Sequence, residues 1–286
     1  MNIRRLLPIL ALCLLTACQK DFDEFNDTRQ RWVEFSFDPS EYFSDILVTT
    51  EHGYELGAST ALDPNYKLRI VGYCYDTDSV LIAKNTVFGD MQQMLTMEFK
   101  HLDKDCQYHF LFLADIVQFY SDKDYYEIWY QLLTRNLGNM YVMSQKREKK
   151  PAYNVLLKAL IDITPSNQTM AVPLSPITFN GYCAFTNHDG ISANNLVSAY
   201  HESFFIRNME GRDRPFHAHV NMGEVGNTAI IGITASYADK SVDVRIINNG
   251  GGLNTATTLT IQNPEHRPFV ATIDYTTLQL TKLELY

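Results

Sequence analysis

Lys67-Leu68-Arg69-Ile70-Val71-Gly72-Tyr73-Cys74-Tyr75, then Asp76-Thr77-Asp78-Ser79, then Val80-Leu81-Ile82-Ala83: the fold class is decided in this stretch. Two runs rich in β-branched and aromatic residues flank a short Asp/Ser turn, which reads as a β-hairpin. The pattern continues outward on both sides. Upstream, Val33, Phe35 and Phe37 alternate with Glu34 and Ser36, and Ile46 to Thr50 is a second run ending at the turn-prone Glu51-His52-Gly53. Downstream, Leu95, Met97 and Phe99 alternate with Thr96, Glu98 and Lys100. Tyr108, Phe110, Phe112 and Ala114 alternate likewise. Successive strand residues point to opposite faces, so period-two alternation over many short runs predicts a β-sandwich with one wet face per sheet.

The middle of the chain reads differently. Between Tyr125 and Leu137, the residues Tyr126, Trp129, Leu132 and Leu133 fall near helical spacing. A charged run, Gln145 to Lys150, precedes Pro151, and Asn154 to Ile161 fits a short helix. A second β-rich block follows, with Ile177, Phe179, Gly181, Cys183 and Phe185 spaced by two. Strand-like runs then recur about every ten residues to the end, the all-β signature. No βαβ alternation is present, which argues against a parallel doubly wound sheet. The expected architecture is all-β with one or two short helices. It has two tandem sandwiches, at 31–115 and 166–286, joined by a connection at 116–165.

Composition narrows the function classes. The formal net charge is −9, and losing Arg4 and Arg5 with a leader would make it −11. Nucleic acids and anionic lipids are bound through basic surfaces, so neither is an expected partner. Seventeen Tyr and sixteen Phe favour strands.

The N-terminus has the grammar of an export signal. Arg4 and Arg5 precede an apolar run of about a dozen residues from Leu6 to Ala17, shorter than the ~20 needed to span a bilayer as a helix. The run closes Leu15-Thr16-Ala17-Cys18, which resembles a lipobox. That resemblance implies a signal peptide at 1–17, palmitate-type acylation of Cys18, and a linker at 18–30. A single myristoyl-length chain binds only reversibly, whereas two or three anchor stably. The acidic Asp21, Asp23 and Glu24 after the cysteine resemble the export signal for display on the outer face of the Bacteroidota outer membrane.

Several residues could carry chemistry. His217 and His219 sit two apart in Phe216-His217-Ala218-His219, so a strand would present them on one face, suited to two positions on zinc. His201 or Glu202 would have to help, and a polar strand face explains the pair equally. Asp76-Thr77-Asp78-Ser79 and Asp103-Lys104-Asp105 are fragments of calcium loops without the full ligand spacing. Asn249-Gly250-Gly251-Gly252 lacks the Lys-Ser or Lys-Thr of a phosphate loop. Cys74, Cys106 and Cys183 admit either a Cys74–Cys106 disulfide or three separate thiols. Trp32 and the aromatic Tyr126, Trp129 and Tyr130 would suit either a sugar-stacking platform or a core. No nucleophile elbow, zinc-protease motif or cofactor fingerprint is present, so the chain reads as neither an enzyme nor a cofactor protein.

Taken together, a lipobox, acidic residues after the cysteine and two β-rich blocks resemble the fimbrillin and fimbrial-anchor lipoproteins of Bacteroidota. The run Tyr66 to Asp76 followed by Val80-Leu81-Ile82 is similar to the first-domain hairpin of that group. The resemblance implies transthyretin-like or immunoglobulin-like sandwiches and a lipid-anchored, surface-exposed outer-membrane location. It also implies a structural or adhesive role, with fimbrial subunits joined by β-strand addition. The competing expectation is a glycan-binding accessory lipoprotein of a polysaccharide-uptake system. The last run, Leu278 to Tyr286, reads as a structural strand rather than a loose donor tail.

Overall fold

The turn of the opening hairpin is built by its own aspartate. Asp76 Oδ1 accepts hydrogen bonds from the backbone N–H of Asp78 at 3.0 Å and of Val80 at 2.9 Å, while Ser79 takes a positive φ of 62°. The carboxylate thus does local backbone work, as aspartates do in tight turns. Asp103 acts alike, its Oδ1 accepting from the N–H of Asp105 at 2.9 Å.

A computed structural model describes residues 29–43, 48–49, 55–56, 64–127, 130–132, 136–144, 155–187, 196–209, 211–221, 230–236, 241–248 and 255–286. The first elements are β1 (Gln30–Phe37), a one-turn helix α1 (Ser40–Phe43), β2 (Val48–Thr49), β3 (Glu55–Leu56), β4 (Tyr66–Tyr75), β5 (Leu81–Gly89), β6 (Leu95–Asp103) and β7 (Tyr108–Phe119). Next come β8 (Tyr125–Glu127), β9 (Tyr130–Leu132), β10 (Val142–Ser144), β11 (Leu156–Ile163), β12 (Gln168–Ala171) and β13 (Ser175–Pro176). The last eight strands are β14 (Thr178–Thr186), β15 (Leu196–Phe204), β16 (Gly211–Asn221), β17 (Ile230–Ser236), β18 (Ser241–Asn248), β19 (Thr255–Gln262), β20 (Phe269–Asp274) and β21 (Gln279–Leu285).

The first sandwich packs the sheet β12-β1-β6 against the sheet β13-β11-β7-β4-β5, with β8 alongside β7. Their facing residues form one core, with Val33, Phe35 and Phe37 of β1 meeting Ile70, Phe110 and Phe112. Phe35 is its hub, with ring centroids 4.7 Å from Phe112, 4.8 Å from Phe110 and 6.1 Å from Phe99. Gly72 must lack a side chain here, since a Cβ would collide with the Met97 sulfur and crowd Phe112 at 3.0 Å. The second sandwich packs β17-β14-β20-β21 against β16-β15-β18-β19 around Phe179, Phe185, Val244, Ile261 and Phe269. The fold is all-β and built of sandwiched sheets, as the alternation predicted.

Four expectations need correction. Asn154 to Ile161 is no helix, because β11 is a ladder partner of β7 along its whole length, from Leu156↔Asp115 to Ile163↔Tyr108. Its helix-like pattern arises because Leu157, Ala159 and Ile161 turn to the core while Leu156 and Leu160 line the other face. Likewise Tyr125–Glu127 and Tyr130–Leu132 are strands, and among the described residues nearby the helical content is a single 3-10 turn at Leu137–Asn139. Residues 156–176, read as connection and second block, therefore complete the first sandwich. Finally, the β4–β7 sheet has no wet outer face at its centre. Val71, Tyr73, Tyr75, Leu111 and Leu113 are buried beneath Leu137, Met140 and Ile206.

Candidate functional site

The two flanks of the first sandwich are closed to different degrees. On one flank, β5 and β6 are stitched together, with Asn85 Nδ2 donating to the Glu98 carbonyl at 2.7 Å and Leu95 packed against Gly89. On the other flank lie β11 and β12, the outer strands of the two sheets. The chain there crosses from one sheet to the other through Val172-Pro173-Leu174. As a result β13 covers β11 only at Leu157↔Pro176 and Lys158↔Ser175. Pro173 has no N–H to donate, which suits the point where the ladder ends.

Beyond that point, Ala159 to Ile163 have no ladder partner on the side away from β7 among the described residues. Ala159, Ile161, Met170 and Leu174 are only half-buried over the core at this flank, and Leu160 is 36% exposed. A cleft of about 390 Å³ runs beside the edge, lined by Lys158 to Ile161, Pro173, Ser175 and Ile177. An unpaired row of backbone N–H and C=O groups above half-covered apolar side chains is a template for another strand. Chemically, the site offers main-chain hydrogen bonds plus pockets at alternate positions. Burial pushes the Lys158 ammonium below its usual pKa, and its Nζ donates to the carbonyls of Ile206 at 2.5 Å and Arg207 at 3.2 Å.

The residues singled out from the sequence are not gathered here. His217 and His219 are in β16, paired with Tyr200 and Ser198 of β15, whereas His201 pairs with Phe216 rather than with either histidine. No group of three or more metal-ligating side chains occurs among the described residues. Cys18, Trp129 and the glycine run 249–252 lie outside the described residues, and the side chains of Tyr126 and Tyr130 are likewise outside them. Trp32 sits on β1, 36% exposed. The disulfide alternative is excluded: Cys74 is a free buried thiol and Cys106 a free exposed one.

One buried charge pair escaped the sequence reading. Arg69 faces Asp115 across the β4–β7 ladder, donating Nε to Oδ1 at 2.8 Å and Nη2 to Oδ2 at 2.7 Å. Both are buried, at 3% and 0% exposure, and the guanidinium lies 5.5 Å from the Tyr125 ring centre. Phe88 and Phe119 pack on that ring, their centroids 5.2 and 5.4 Å away. Tyr125, next to the Tyr126 considered for sugar stacking, thus covers an ion pair. A lone Arg and a lone Asp inside apolar runs were the available signal.

Fold and flank together define an all-β, two-sandwich protein in which part of β11 has a ladder partner on one side only among the described residues. No family model matches the chain, and no curated protein is similar to it in sequence. Some solved structures are similar to it. One is a Bacteroides thetaiotaomicron protein provisionally named as polysaccharide binding, with 11% identity and a TM-score of 0.52 over 90% of this chain and 95% of that one. A provisionally named adhesin of Bacteroides ovatus has 12% identity and a TM-score of 0.44, covering 90% and 92%. The fimbrial anchor protein Mfa2 of Porphyromonas gingivalis has 14% identity and a TM-score of 0.45, covering 85% and 90%. At 11% identity and a TM-score of 0.52, the first of these likenesses shows the fold alone.

Proposed function

We propose that the protein is a membrane-anchored cell-surface lipoprotein with a structural or adhesive role. Specifically, it serves as a fimbrial anchor or accessory subunit that accepts an extended strand of a partner subunit along Ala159–Ile163. It works by binding and not by catalysis. The open edge of β11 carries this reading. Strand addition would complete its ladder and cover Ala159, Ile161, Met170 and Leu174. The Leu6–Cys18 leader pattern supports a tether, since an anchor must hold its assembly to a membrane. Deleting the protein from a fimbriated host strain should give shortened or shed fimbriae and lower adhesion. Unchanged fimbriae together with unchanged adhesion would remove the proposal.

A further inference from the structure

Among the described residues, the sandwiches are joined at a covalent junction and through a loop. The first is covalent and leaves no slack. β13 ends at Pro176 in the first sandwich and β14 starts at Thr178 in the second, with Ile177 alone between them. That residue is held, its N–H donating to the Leu156 carbonyl at 2.9 Å. The Leu156 N–H in turn donates to Thr178 Oγ1 at 3.1 Å, in a buried setting. A junction of one residue, bonded on both sides, is not a linker.

The second contact is the β15–β16 loop, Phe205 to Met209. It reaches from the second sandwich onto the outer face of the first. Ile206 is 0% exposed there, seated among Tyr73, Tyr75, Leu111, Leu113 and Met140. Its N–H donates to the Met140 carbonyl at 2.9 Å, and Phe205 forms an antiparallel bridge with Tyr141. Lys158 Nζ closes the loop from below through the Ile206 and Arg207 carbonyls. Arg207 Nη1 donates to Ser79 Oγ at 3.2 Å, in the turn of the opening hairpin. Residues 136–141 bracket the plug from the other side, with the Leu137 N–H donating to the Ser79 carbonyl at 3.2 Å.

We infer that Phe205–Met209 is a latch that locks the two sandwiches into one rigid body, so the second projects at a fixed angle from the first. A single short junction still permits rotation about itself. A second attachment away from that axis removes the rotation, and a buried isoleucine ringed by backbone hydrogen bonds resists sliding. A charge at position 206 would have to be desolvated, so it expels the plug.

The test is a distance measurement on the detergent-solubilised full-length protein carrying Cys13→Ser and Cys18→Ser. Spin labels go on exposed Cys106 in the first sandwich and on Thr258→Cys in the second. A narrow distance distribution is expected, and Ile206→Asp should broaden it at least twofold. The same variant should split a single thermal transition into two. A broad distribution without the substitution, or an unchanged narrow one with it, overturns the latch. Should Ile206→Asp fail to fold, Lys158→Met combined with Arg207→Ala keeps the Ile206 plug while removing the side-chain hydrogen bonds around it, along with two positive charges. That pair should broaden the distribution too, and an unchanged one overturns the latch equally.

Discussion

Arg69 and Asp115 show what a residue-scale reading must weigh. Two buried charges are tolerated because the guanidinium fork matches the carboxylate, with both of its bonds under 3 Å. Removing one partner leaves the other desolvated and uncompensated. Asp115→Ala should therefore lower unfolding free energy by about 3–5 kcal/mol in urea titration. The double replacement Arg69→Met with Asp115→Leu should be near neutral, since apolar residues of similar volume remove both desolvation penalties. A small loss for the single variant would show that the pair is not shielded from water. The cysteines give a second expectation. Burial pushes the Cys74 and Cys183 thiols up to about 12, so almost none is thiolate at pH 8. Thiolate is the reactive form. In the lipidated protein at that pH, a maleimide should label Cys106 alone, and labelling of the other two should require denaturant.

At the scale of elements, β11 decides most. Its apolar residues at 156, 157, 160 and 161 mimic helical spacing, yet it is a strand laddered to β7, with Leu157 and Ile161 turned to the core, Leu156 buried on the other face and Leu160 left 36% exposed there. A strand buried on one side only would have alternated and been legible. The same strand carries the open edge, and its inward residue Ile161 is half-buried. A lysine placed inward on an edge strand is a known way to stop edge-to-edge pairing. Ile161→Lys should abolish fimbrial retention as deletion does, while far-UV circular dichroism and the urea midpoint stay close to the parent. Full retention by a folded Ile161→Lys protein would move the acceptor away from β11. Elsewhere, β14 and β20 pair in parallel so closely that a Cβ on Gly181 would overlap the Phe269 ring. Gly181→Ala should destabilise by ~1–3 kcal/mol in thermal or chemical unfolding, the usual range for overpacking.

For the whole molecule, the proposed tether makes its own forecast. The native protein should enter the detergent-rich phase of a phase-separating detergent, and Cys18→Ser should shift it to the aqueous phase. Mass spectrometry of the native form should find the chain beginning at an acylated Cys18. An unmodified residue 18 would leave the sandwiches without their anchor. The non-local pairings also belong to this scale. β1 lies between β6 and a parallel partner, β12, about 135 residues later in the chain. β14 lies between β17 and its own parallel partner, β20. Alternation reveals that a segment is a strand, but it carries no information on which strand lies beside it.

The sequence alone determined the sheet class, the run that became β14 and the turn at Asp76–Ser79, because side-chain alternation and turn chemistry are local. It also supplied the leader pattern at Leu6–Cys18, which is legible as composition. Tertiary structure decided what depends on neighbours far apart in the chain. It set the partners of β1 and β14, and it determined that Arg69 meets Asp115. It seated Ile206 on the first sandwich and left Ala159–Ile163 without a second ladder partner among the described residues. Each of those depends on which surfaces come together, and burial of an apolar face rewards any suitable partner until the whole chain is placed.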